Sequence, residues 1–244
     1  MALAAIELAE VVKSFHRAPV LDGLDLRVEA GETFGLVGVN GAGKTTCIKT
    51  LLDFCAVDRG RIEIFGIPHR EPRARRRLAY LPEQFLPPYY QTGGAFLAYM
   101  SRLHGGPGRG EAHRRDVRAM LEALDLDAGA LERPVREYSK GMAQKLGLAG
   151  CFLSGKELLV LDEPMSGLDP KARVLVKRHL RALREDGRTV FFSTHLLFDV
   201  EELCDRVGVL HAGRLRFVGS PRSFRERHDQ PDLEQAYLDC IAEA

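Results

Sequence analysis

The sequence predicts an α/β fold: a core built around one glycine-rich loop, with an antiparallel β layer and an inserted helical subdomain. The first observation is that residues 38–45 form a glycine loop between an apolar run of strand length and a segment of helical periodicity. The second is that alternating apolar and polar residues, typical of half-exposed strands, lie before and after this loop. The third is a break in pattern over residues 85–135, where Gly and Pro pairs separate amphipathic stretches.

Residues 38–45 read Gly-Val-Asn-Gly-Ala-Gly-Lys-Thr and fit the phosphate-binding pattern G-x-x-x-x-G-K-[ST] at every fixed position. At this chain's own residue frequencies, chance gives on the order of 0.005 matches, so the motif indicates a nucleotide site. Its glycines let backbone N–H groups converge on an anion, and the following helix adds its positive N-terminal end. Lys44 is expected to reach the β- and γ-phosphates, Thr45 to place its hydroxyl on Mg²⁺, and Thr46 to donate to the α-phosphate. The candidate binding residues of the loop are Gly38, Asn40, Gly41, Gly43, Lys44, Thr45 and Thr46.

The bulk properties bound the class of protein. The 244 residues suffice for one α/β domain, or for a core with a smaller subdomain, and the net charge of +1 gives no overall attraction to nucleic acid. Since no apolar run approaches membrane-spanning length and the segment from Met1 to Glu7 lacks a basic signal region, we expect a soluble, cytosolic protein. The five cysteines are scattered without a C-x-x-C pair, which indicates buried or free thiols rather than disulfides or a metal site.

Alternation predicts antiparallel strands over residues 6–12, 24–29 and 61–65, with turns at 31–32 and 66–68. Phe15 follows the first strand; its ring either stacks on adenine or packs in the ordinary way, and the residue pattern alone favours packing. The basic run 69–77 is interpreted as a solvated first turn of a helix rather than a patch for phosphate or lipid headgroups. It leads into a strand at 78–81, followed by Pro82, Glu83 and Gln84.

Residues 85–135 are expected to form a helical insertion, with helices over 95–103 and 117–126. Its aromatic residues either form the core of the insertion or a rim that contacts a partner, and both interpretations stay open. These residues are Tyr89, Tyr90, Phe96 and Tyr99. Ser139 is well placed to cap a helix over 143–153, and an exposed helix start with serine and glycine is also an anion site.

Two carboxylates end a buried strand predicted over residues 157–162. Asp162 and Glu163 are costly to bury there without a charge partner, and Mg²⁺ beside the phosphate loop would supply one. Asp162 would then hold the metal, and Glu163 would orient and deprotonate the attacking water. A second buried strand over 189–194 ends in His195, which is therefore expected at the ligand-binding edge of the same sheet. A turn cluster at 165–170, a helix over 172–186, a hairpin at 207–210 and 214–218, and a short helical tail complete the chain.

Six segments in this order closely resemble the nucleotide-binding subunit of ATP-binding cassette (ABC) transporters. They are the phosphate loop and residues 82–83, 138–142, 161–164, 166–169 and 193–195. The resemblance covers nearly the whole chain and implies one domain over 1–244, a P-loop NTPase with a RecA-like core. It implies bounds of 1–84 and 151–218 for the ATP-binding core with its N-terminal antiparallel β layer, 85–150 for the α-helical subdomain, and 219–244 for the tail.

The resemblance also implies that two such domains pair head to tail around two ATP molecules. Ser139 and Gly141 would contact the γ-phosphate held by the other copy's Lys44, Asp169 would act across the same interface, and His195 would hold the γ-phosphate. In sum, it assigns catalysis to Glu163, His195 and Lys44, the metal to Thr45, Asp162 and Glu83, and adenine stacking to Phe15.

Two positions depart from the family pattern. Residues 138–142 read Tyr-Ser-Lys-Gly-Met where the commonest signature is Leu-Ser-Gly-Gly-Gln, a variant that resembles exporters whose membrane subunits are separate polypeptides. Where many members have Gln after Pro82, this chain has Glu83, followed by Gln84. A glutamate can still accept a hydrogen bond from metal-bound water, but it adds negative charge beside ATP. We expect Glu83 rather than Gln84 to make this contact.

The resemblance therefore implies an ATPase that binds ATP and Mg²⁺, pairs with a second copy and drives separate transmembrane permease subunits, more as an exporter than as an importer. It would lie on the cytoplasmic face of the cell membrane, with no nucleic-acid partner. The alternative is a soluble ABC-type ATPase acting on nucleic acid, ribosomes or protein assemblies, which a single cassette and near-neutral charge disfavour. A GTPase or small-molecule kinase would predict neither the signature helix nor His195. The transported substrate is not encoded here, because the membrane subunit selects it.

Overall fold

The computed structural model describes residues 3–16 and 18–242, and these residues form two β-sheets with helices packed on them. Outside the described residues lie Met1 and Ala2 of the predicted N-terminal segment, Arg17, and Glu243 and Ala244 of the predicted tail. The strands are β1 (Ala4–Phe15), β2 (Ala18–Glu29), β3 (Thr33–Val37), β4 (Arg59–Ile64), β5 (Ile67–Pro68), β6 (Leu78–Leu81), β7 (Leu158–Asp162), β8 (Thr189–Thr194), β9 (Arg206–His211) and β10 (Arg214–Gly219). The helices are α1 (Lys44–Leu51), α2 (Gly93–Leu103), α3 (Glu111–Ala123), α4 (Lys140–Phe152), α5 (Pro170–Glu185), α6 (Leu197–Leu203), α7 (Pro221–Arg227) and α8 (Leu233–Ala242). The predicted α/β fold is confirmed.

The antiparallel layer has the strand order β2-β1-β4-β5. β1 pairs with β2 from Ala4 opposite Glu29 to Phe15 opposite Ala18, and with β4 on its other side. Register shifts interrupt both ladders, so side-chain alternation is regular over only parts of these strands. The turn predicted at 66–68 is shorter than expected, because β5 already pairs with β4 directly after Gly66. The layer carries Phe15 at the end of β1.

The second sheet has the strand order β10-β9-β3-β8-β7-β6. Neighbouring strands run parallel except β10, which returns beside β9 as an antiparallel hairpin strand. β3, β7 and β8 are buried along their whole length, as expected for uninterrupted apolar runs covered on both faces. Because Val37 lies opposite Thr194 and Asp162 opposite Ser193, the carboxyl ends of these three strands meet at one edge, and β6 ends beside them.

The helical subdomain is formed by α2, α3 and α4, of which α4 also packs against β6. Phe96 is buried in its core, at 4% exposed, while Tyr89, Tyr90 and Tyr99 are exposed. The core role is therefore confirmed for Phe96, and the three tyrosines are on the surface, where their contact with a partner stays a prediction.

The basic run 69–77 contains a short 3₁₀ helix (Pro72–Arg77), and Arg75 and Arg77 of this helix bond to other parts of the protein. Arg77 Nε donates to Glu157 Oε1 at 2.7 Å, and its guanidinium lies 3.7 Å from the centre of the Phe65 ring. Arg75 Nη1 donates to the His69 carbonyl oxygen. The run thus contains an exposed helical turn, as the solvated-helix interpretation predicts, but this turn is 3₁₀ and ends at β6 instead of starting a longer helix. Arg75 and Arg77 are paired within the protein.

The C-terminal helices α7 and α8 pack on each other and against β10, and α8 also contacts α6. None of the helices in the described ranges has the length and apolar character of a membrane span. Cys47 and Cys151 are buried thiols, and burial raises the pKa of each to about 12. At these two positions the prediction of buried thiols is confirmed.

Candidate active site

The glycine loop joins the end of β3 to the start of α1, and close backbone approaches require two of its glycines. At Gly38, a Cβ atom would lie 2.4 Å from the Leu210 carbonyl oxygen of β9. Gly43 has a φ of +111°, and a Cβ there would lie 2.8 Å from the Val20 carbonyl oxygen of β2. A side chain at either position would push the loop off its neighbouring strands, so these strands define the shape of the loop.

Lys44 begins α1 and folds back over the loop that precedes it. Its Nζ donates to the Gly38 carbonyl oxygen at 2.7 Å and to the Val39 carbonyl oxygen at 3.4 Å. The residue is only 6% exposed. No described side chain caps the first turn of α1, so its backbone N–H groups remain available beside this ammonium. A buried cation and a helix N-terminus together attract an anion.

Two buried carboxylates face this loop from the end of β7. Asp162 is 1% exposed and Glu163 is 8% exposed. Ser193 of β8 contacts both: its hydroxyl donates to Asp162 Oδ1, and its oxygen accepts from the Glu163 backbone N–H at 3.0 Å. Asp162 Oδ2 is buried and has no hydrogen-bond partner among the described residues. This oxygen is therefore available to a cation, which would offset the cost of its burial.

Glu163 brings a carboxylate, an imidazole and the loop cation together. Its backbone φ is +48°, a left-handed conformation that residues with a side chain seldom adopt and that clusters at functional sites. Oε2 lies 3.0 Å from Nδ1 of His195, whose side chain is 48% exposed. Oε1 lies 3.4 Å from Lys44 Nζ, an ion-pair distance without hydrogen-bond geometry. The arrangement can hold a carboxylate base beside the phosphate loop with its orientation fixed by His195.

A cavity of about 420 Å³ lies over the loop. It is lined by Val20, Val39, Asn40, Gly41, Gly43, Lys44, Thr45, Thr46, Glu83 and Glu163. Of the two candidates after Pro82, Glu83 reaches this cavity, and Gln84 lines a neighbouring groove. Burial, with the charges of Asp162 and Glu83 added, raises the pKa of Tyr80 to about 12. Glu83 and Glu163 line one part of the cavity with carboxylates, and Lys44 brings a positive charge from the loop.

Ser139, Gly141 and Asp169 do not line this cavity. Ser139 caps α4 as predicted, its Oγ accepting a first-turn backbone N–H at 3.2 Å. Asp169 caps α5 with a hydrogen bond of 2.9 Å from a backbone N–H, which holds the pKa of its carboxyl below the ordinary value. A Cβ at Gly141 would lie 3.2 Å from the Gly167 carbonyl oxygen, so these segments are neighbours in the chain's own fold.

Phe15 is 45% exposed at the end of β1, and Lys13 Nζ lies 5.1 Å from the centre of its ring. Asp58 holds this strand end, accepting from Lys13 Nζ at 2.8 Å and from the Ser14 backbone N–H at 2.7 Å. The ring is therefore accessible for stacking rather than packed in the core. Its contact with adenine stays a prediction.

The oxygen donors at this edge fit Mg²⁺ together with phosphate rather than Mg²⁺ alone. Across residues 3–16 and 18–242, no group of three or more His, Cys, Asp and Glu side chains is arranged to hold a metal. Mg²⁺ in nucleotide sites takes one or two protein oxygens and completes its shell with phosphates and water. The unpartnered Oδ2 of Asp162 and the Thr45 hydroxyl are donors of this kind.

Two residues of the site were not expected from the sequence. The motifs assign no separate role to Ser193. A hydroxyl inside a buried apolar strand needs a hydrogen-bond partner, however, and this requirement could have identified Ser193 as part of the site. The sequence around Val20 carries no such signal, because β2 brings this residue to the cavity through sheet pairing that the local pattern does not encode.

Comparison with known proteins gives one family. The family described as ABC transporter matches residues 21–166. An uncharacterised ABC transporter ATP-binding protein of Synechocystis sp. (strain PCC 6803) is 41% identical over 201 residues, which is 82% of this chain and 56% of that protein. A Nod factor export ATP-binding protein I of Burkholderia thailandensis is 38% identical over 240 residues, 97% of this chain and 78% of that protein. The chain thus spans a little more than half of the cyanobacterial relative's length.

Among solved structures, the ATP-binding subunit of an ABC transporter superposes with a TM-score of 0.89 at 29% identity. The match covers 97% of this chain and 99% of that subunit. A match of this extent includes both sheets and the helical subdomain, so the overall architecture is shared.

Proposed function

This chain belongs to the ABC transporter family of ATPases, as an ATP-binding subunit, and on that premise we propose that it works as a head-to-tail pair that hydrolyses ATP and drives a separate membrane subunit. The resemblance that the sequence motifs gave is confirmed at the level of the family. The pairing, the metal, the roles of single residues and the direction of transport are the proposal.

The observation that carries the proposal is the contact of Glu163 with both His195 and Lys44. In the proposed reaction Glu163 takes the proton of the attacking water, because it is the buried carboxylate that lines the loop cavity with an oxygen outside any hydrogen bond. His195 keeps that side chain oriented, and Lys44 with the loop N–H groups binds the phosphates. Mg²⁺, held by Thr45 and Asp162 with Glu83 nearby, would supply positive charge for the phosphate oxygens.

One chain alone does not bring all the predicted nucleotide-contacting residues into one cavity. Ser139, Gly141 and Asp169, which the family resemblance assigns to the bound nucleotide, lie outside the loop cavity of their own chain. Their segments nevertheless adjoin one another through Gly141 and Gly167. In a symmetric pair, the surface of each copy would face the phosphate loop of the other copy, so that two sites are completed at once.

A groove beside Glu83 is proposed as the docking surface for the membrane subunit. It is mostly apolar and is lined on one side by residues 83–87 and 89 and on the other by residues 135, 136, 138–140, 143 and 144. The membrane subunit would take the first side, because the second carries Ser139, which is proposed to face the other copy's nucleotide. Leu86, Tyr89 and Tyr90 are 86%, 64% and 80% exposed, so this edge of the helical subdomain carries apolar surface that a partner would bury. Because Glu83 lines both the groove and the loop cavity, a partner seated there would sense the nucleotide.

Export rather than import is supported by the relatives named for Nod factor export and by the signature variant at residues 138–142. Recovery of the chain with a transmembrane protein from detergent-solubilised membranes would support the transporter role. Recovery only with ribosomes or DNA would contradict it in favour of a soluble ABC-type ATPase.

Glu163→Gln tests the catalytic part of the proposal. We expect ATP binding to persist and kcat to fall by at least about 100-fold, since an amide cannot accept the proton. An ATP-bound pair should then accumulate, visible as a doubled mass by light scattering. Glu122→Gln, the same change at an exposed position of α3, is the control and should behave as wild type. Normal turnover of the Glu163 variant would remove this residue as the base.

A mixing experiment tests the shared sites. Ser139→Arg chains alone and Lys44→Ala chains alone should be inactive, because every pair they form has two defective sites. Equimolar mixing should restore about a quarter of wild-type turnover, since half of the pairs are mixed and each carries one intact site. Activity of either variant alone, or none after mixing, would contradict the shared-site arrangement.

A further inference from the structure

The peptide unit between Gly38 and Val39 is bonded on both of its sides. Its carbonyl oxygen, on Gly38, accepts from Lys44 Nζ at 2.7 Å. Its N–H, on Val39, donates to the hydroxyl oxygen of Tyr237 at 3.1 Å. Because a peptide unit is planar, its carbonyl and N–H groups cannot turn independently. The hydroxyl of Tyr237 therefore fixes the direction of the carbonyl that holds the Lys44 ammonium.

Tyr237 belongs to α8, far from the loop in sequence, and is held firmly by the core. It is 8% exposed and packs in one apolar cluster with Val37, at the end of β3, and with Val200 of α6. Leu233 of the same helix is also in this cluster. The hydroxyl is thus presented to the loop by a helix whose side chains pack in the core.

The peptide unit is packed against β9 at Gly38 but borders open space on another side. A cavity of about 250 Å³, lined by residues 37–40 with His195, Leu197 and Tyr237, lies beside it. Two backbone bonds flank the peptide unit: the Gly38 N–H donates to the Thr194 carbonyl oxygen at 3.4 Å, and the Val39 carbonyl oxygen accepts from the Ala42 N–H at 3.1 Å. Neither of these bonds uses the groups of the Gly38–Val39 peptide unit itself, and with room next to it this unit relies on the Tyr237 hydrogen bond to hold its N–H in place.

We propose that Tyr237 is a positioning residue for ATP binding, which ties helix α8 to the phosphate loop by fixing the Gly38–Val39 peptide and, through it, Lys44. The inference rests on the proposed function of the loop. It adds a residue from the C-terminal helix to a site otherwise built from the edge of the parallel sheet.

The test is Tyr237→Phe, which removes the hydroxyl and keeps the ring in its cluster. Loss of one hydrogen bond to backbone should raise the KM for ATP about fivefold, with kcat within about twofold, because Lys44 would hold the bound nucleotide less well. Tyr99→Phe, the same change at a residue that is 49% exposed on α2, is the matched control. A purely structural role would instead lower the melting temperature and leave KM unchanged, and this result would overturn the inference.

Amide hydrogen exchange of the nucleotide-free protein provides a second measurement. In Tyr237→Phe, exchange of the Val39 amide should accelerate about tenfold, while the Leu36 amide inside β3 keeps its rate. Unchanged exchange at Val39 would overturn the inference whatever the kinetics show. If the wild-type chain neither binds nor hydrolyses ATP, the proposed function fails, and the exchange result still decides whether Tyr237 holds the loop.

Discussion

Among the described residues, Asp199 is the most deeply buried charged side chain that the proposed reaction does not use. Its replacement tests the packing between α5 and α6. The residue is 0% exposed on α6. Its Oδ1 lies 2.8 Å from Lys177 Nζ, and Arg173 Nη2 donates to both carboxylate oxygens at 3.1 and 2.9 Å. α5 begins at the Asp169 cap and α6 follows His195, so this ion pair joins two segments of the candidate site.

Asp199→Asn keeps the shape of the side chain and removes its charge. Removing one partner of a buried ion pair costs about 3–5 kcal/mol, because the opposite charge is left without compensation. Two features place the cost for this variant near the lower end of that range. Glu202 still faces Lys177 at 2.6 Å, and the Arg173 side chain is 30% exposed, so water screens it. We expect the free energy of unfolding to fall by about 3 kcal/mol, which lowers the melting temperature by roughly 6–12 °C for a chain of this size.

Thermal unfolding followed by circular dichroism is the assay, performed without nucleotide because a bound ligand would mask the loss. Glu201→Gln, two residues further along α6, is the control. Its ion pair with Arg225, at 3.0 Å, is at the surface, with 41% of the Glu201 side chain exposed, and should contribute less than about 1 kcal/mol. The reasoning is refuted if Asp199→Asn melts within about 2 °C of this control.

Two further variants probe the edges of the site. Leu86→Asp changes a side chain that is 86% exposed, so turnover of the isolated chain should stay within about twofold, whereas recovery with solubilised membranes should drop about tenfold; equal recovery would exclude this docking surface. Asp58→Asn weakens the anchor of Lys13 and the Ser14 amide beside the Phe15 ring, and the KM for ATP should rise about threefold with kcat unchanged. Combining it with Phe15→Leu should add no further increase, and full additivity in a kinetic cycle would show that Asp58 does not act through the ring.

The strands at the centre of the parallel sheet could be predicted because burial on both faces leaves a continuous apolar run. β3, β7 and β8 are such runs, and each ends where the prediction put it. β2 was different: alternation is visible only over 24–29, yet the strand begins at Ala18. Register shifts in its ladder with β1 break the two-residue period over the first half, so the local pattern no longer reports the pairing.

Helix α3 shows why the ends of a helix are harder to predict from sequence than its existence. The apolar period indicated a start at Val117, but the helix begins at Glu111. Residues 111–116 are mostly exposed, and the buried residues of the helix are Val117, Met120 and Leu121. Hydrophobic periodicity reports only the part of a helix that packs, so a solvated first segment has to be inferred from the acid in its first turn.

The same distinction applies to the site. Contiguous motifs revealed the loop, the two carboxylates and His195, because each lies directly at the end of a strand whose position could be predicted. Contacts made across the fold were invisible. Tyr237 reaches the Val39 amide from 198 residues away, and nothing near either residue in the sequence records that contact. Such pairs follow from how α8 packs on the sheet, which is a property of the assembled core.

Ser139 shows how one side chain serves both the fold and the proposed function. As the cap of α4 its oxygen accepts a backbone N–H, which uses a lone pair and leaves the hydroxyl hydrogen free to donate. The cap also fixes the side chain at the N-terminal end of the helix, where the dipole favours an anion. A donor held in this way pays little entropy when a phosphate arrives, so capping prepares the residue to bind rather than competing with binding. Ser139 does not line the loop cavity of its own chain, so in the proposed head-to-tail pair this donor would meet the phosphate bound by the other copy.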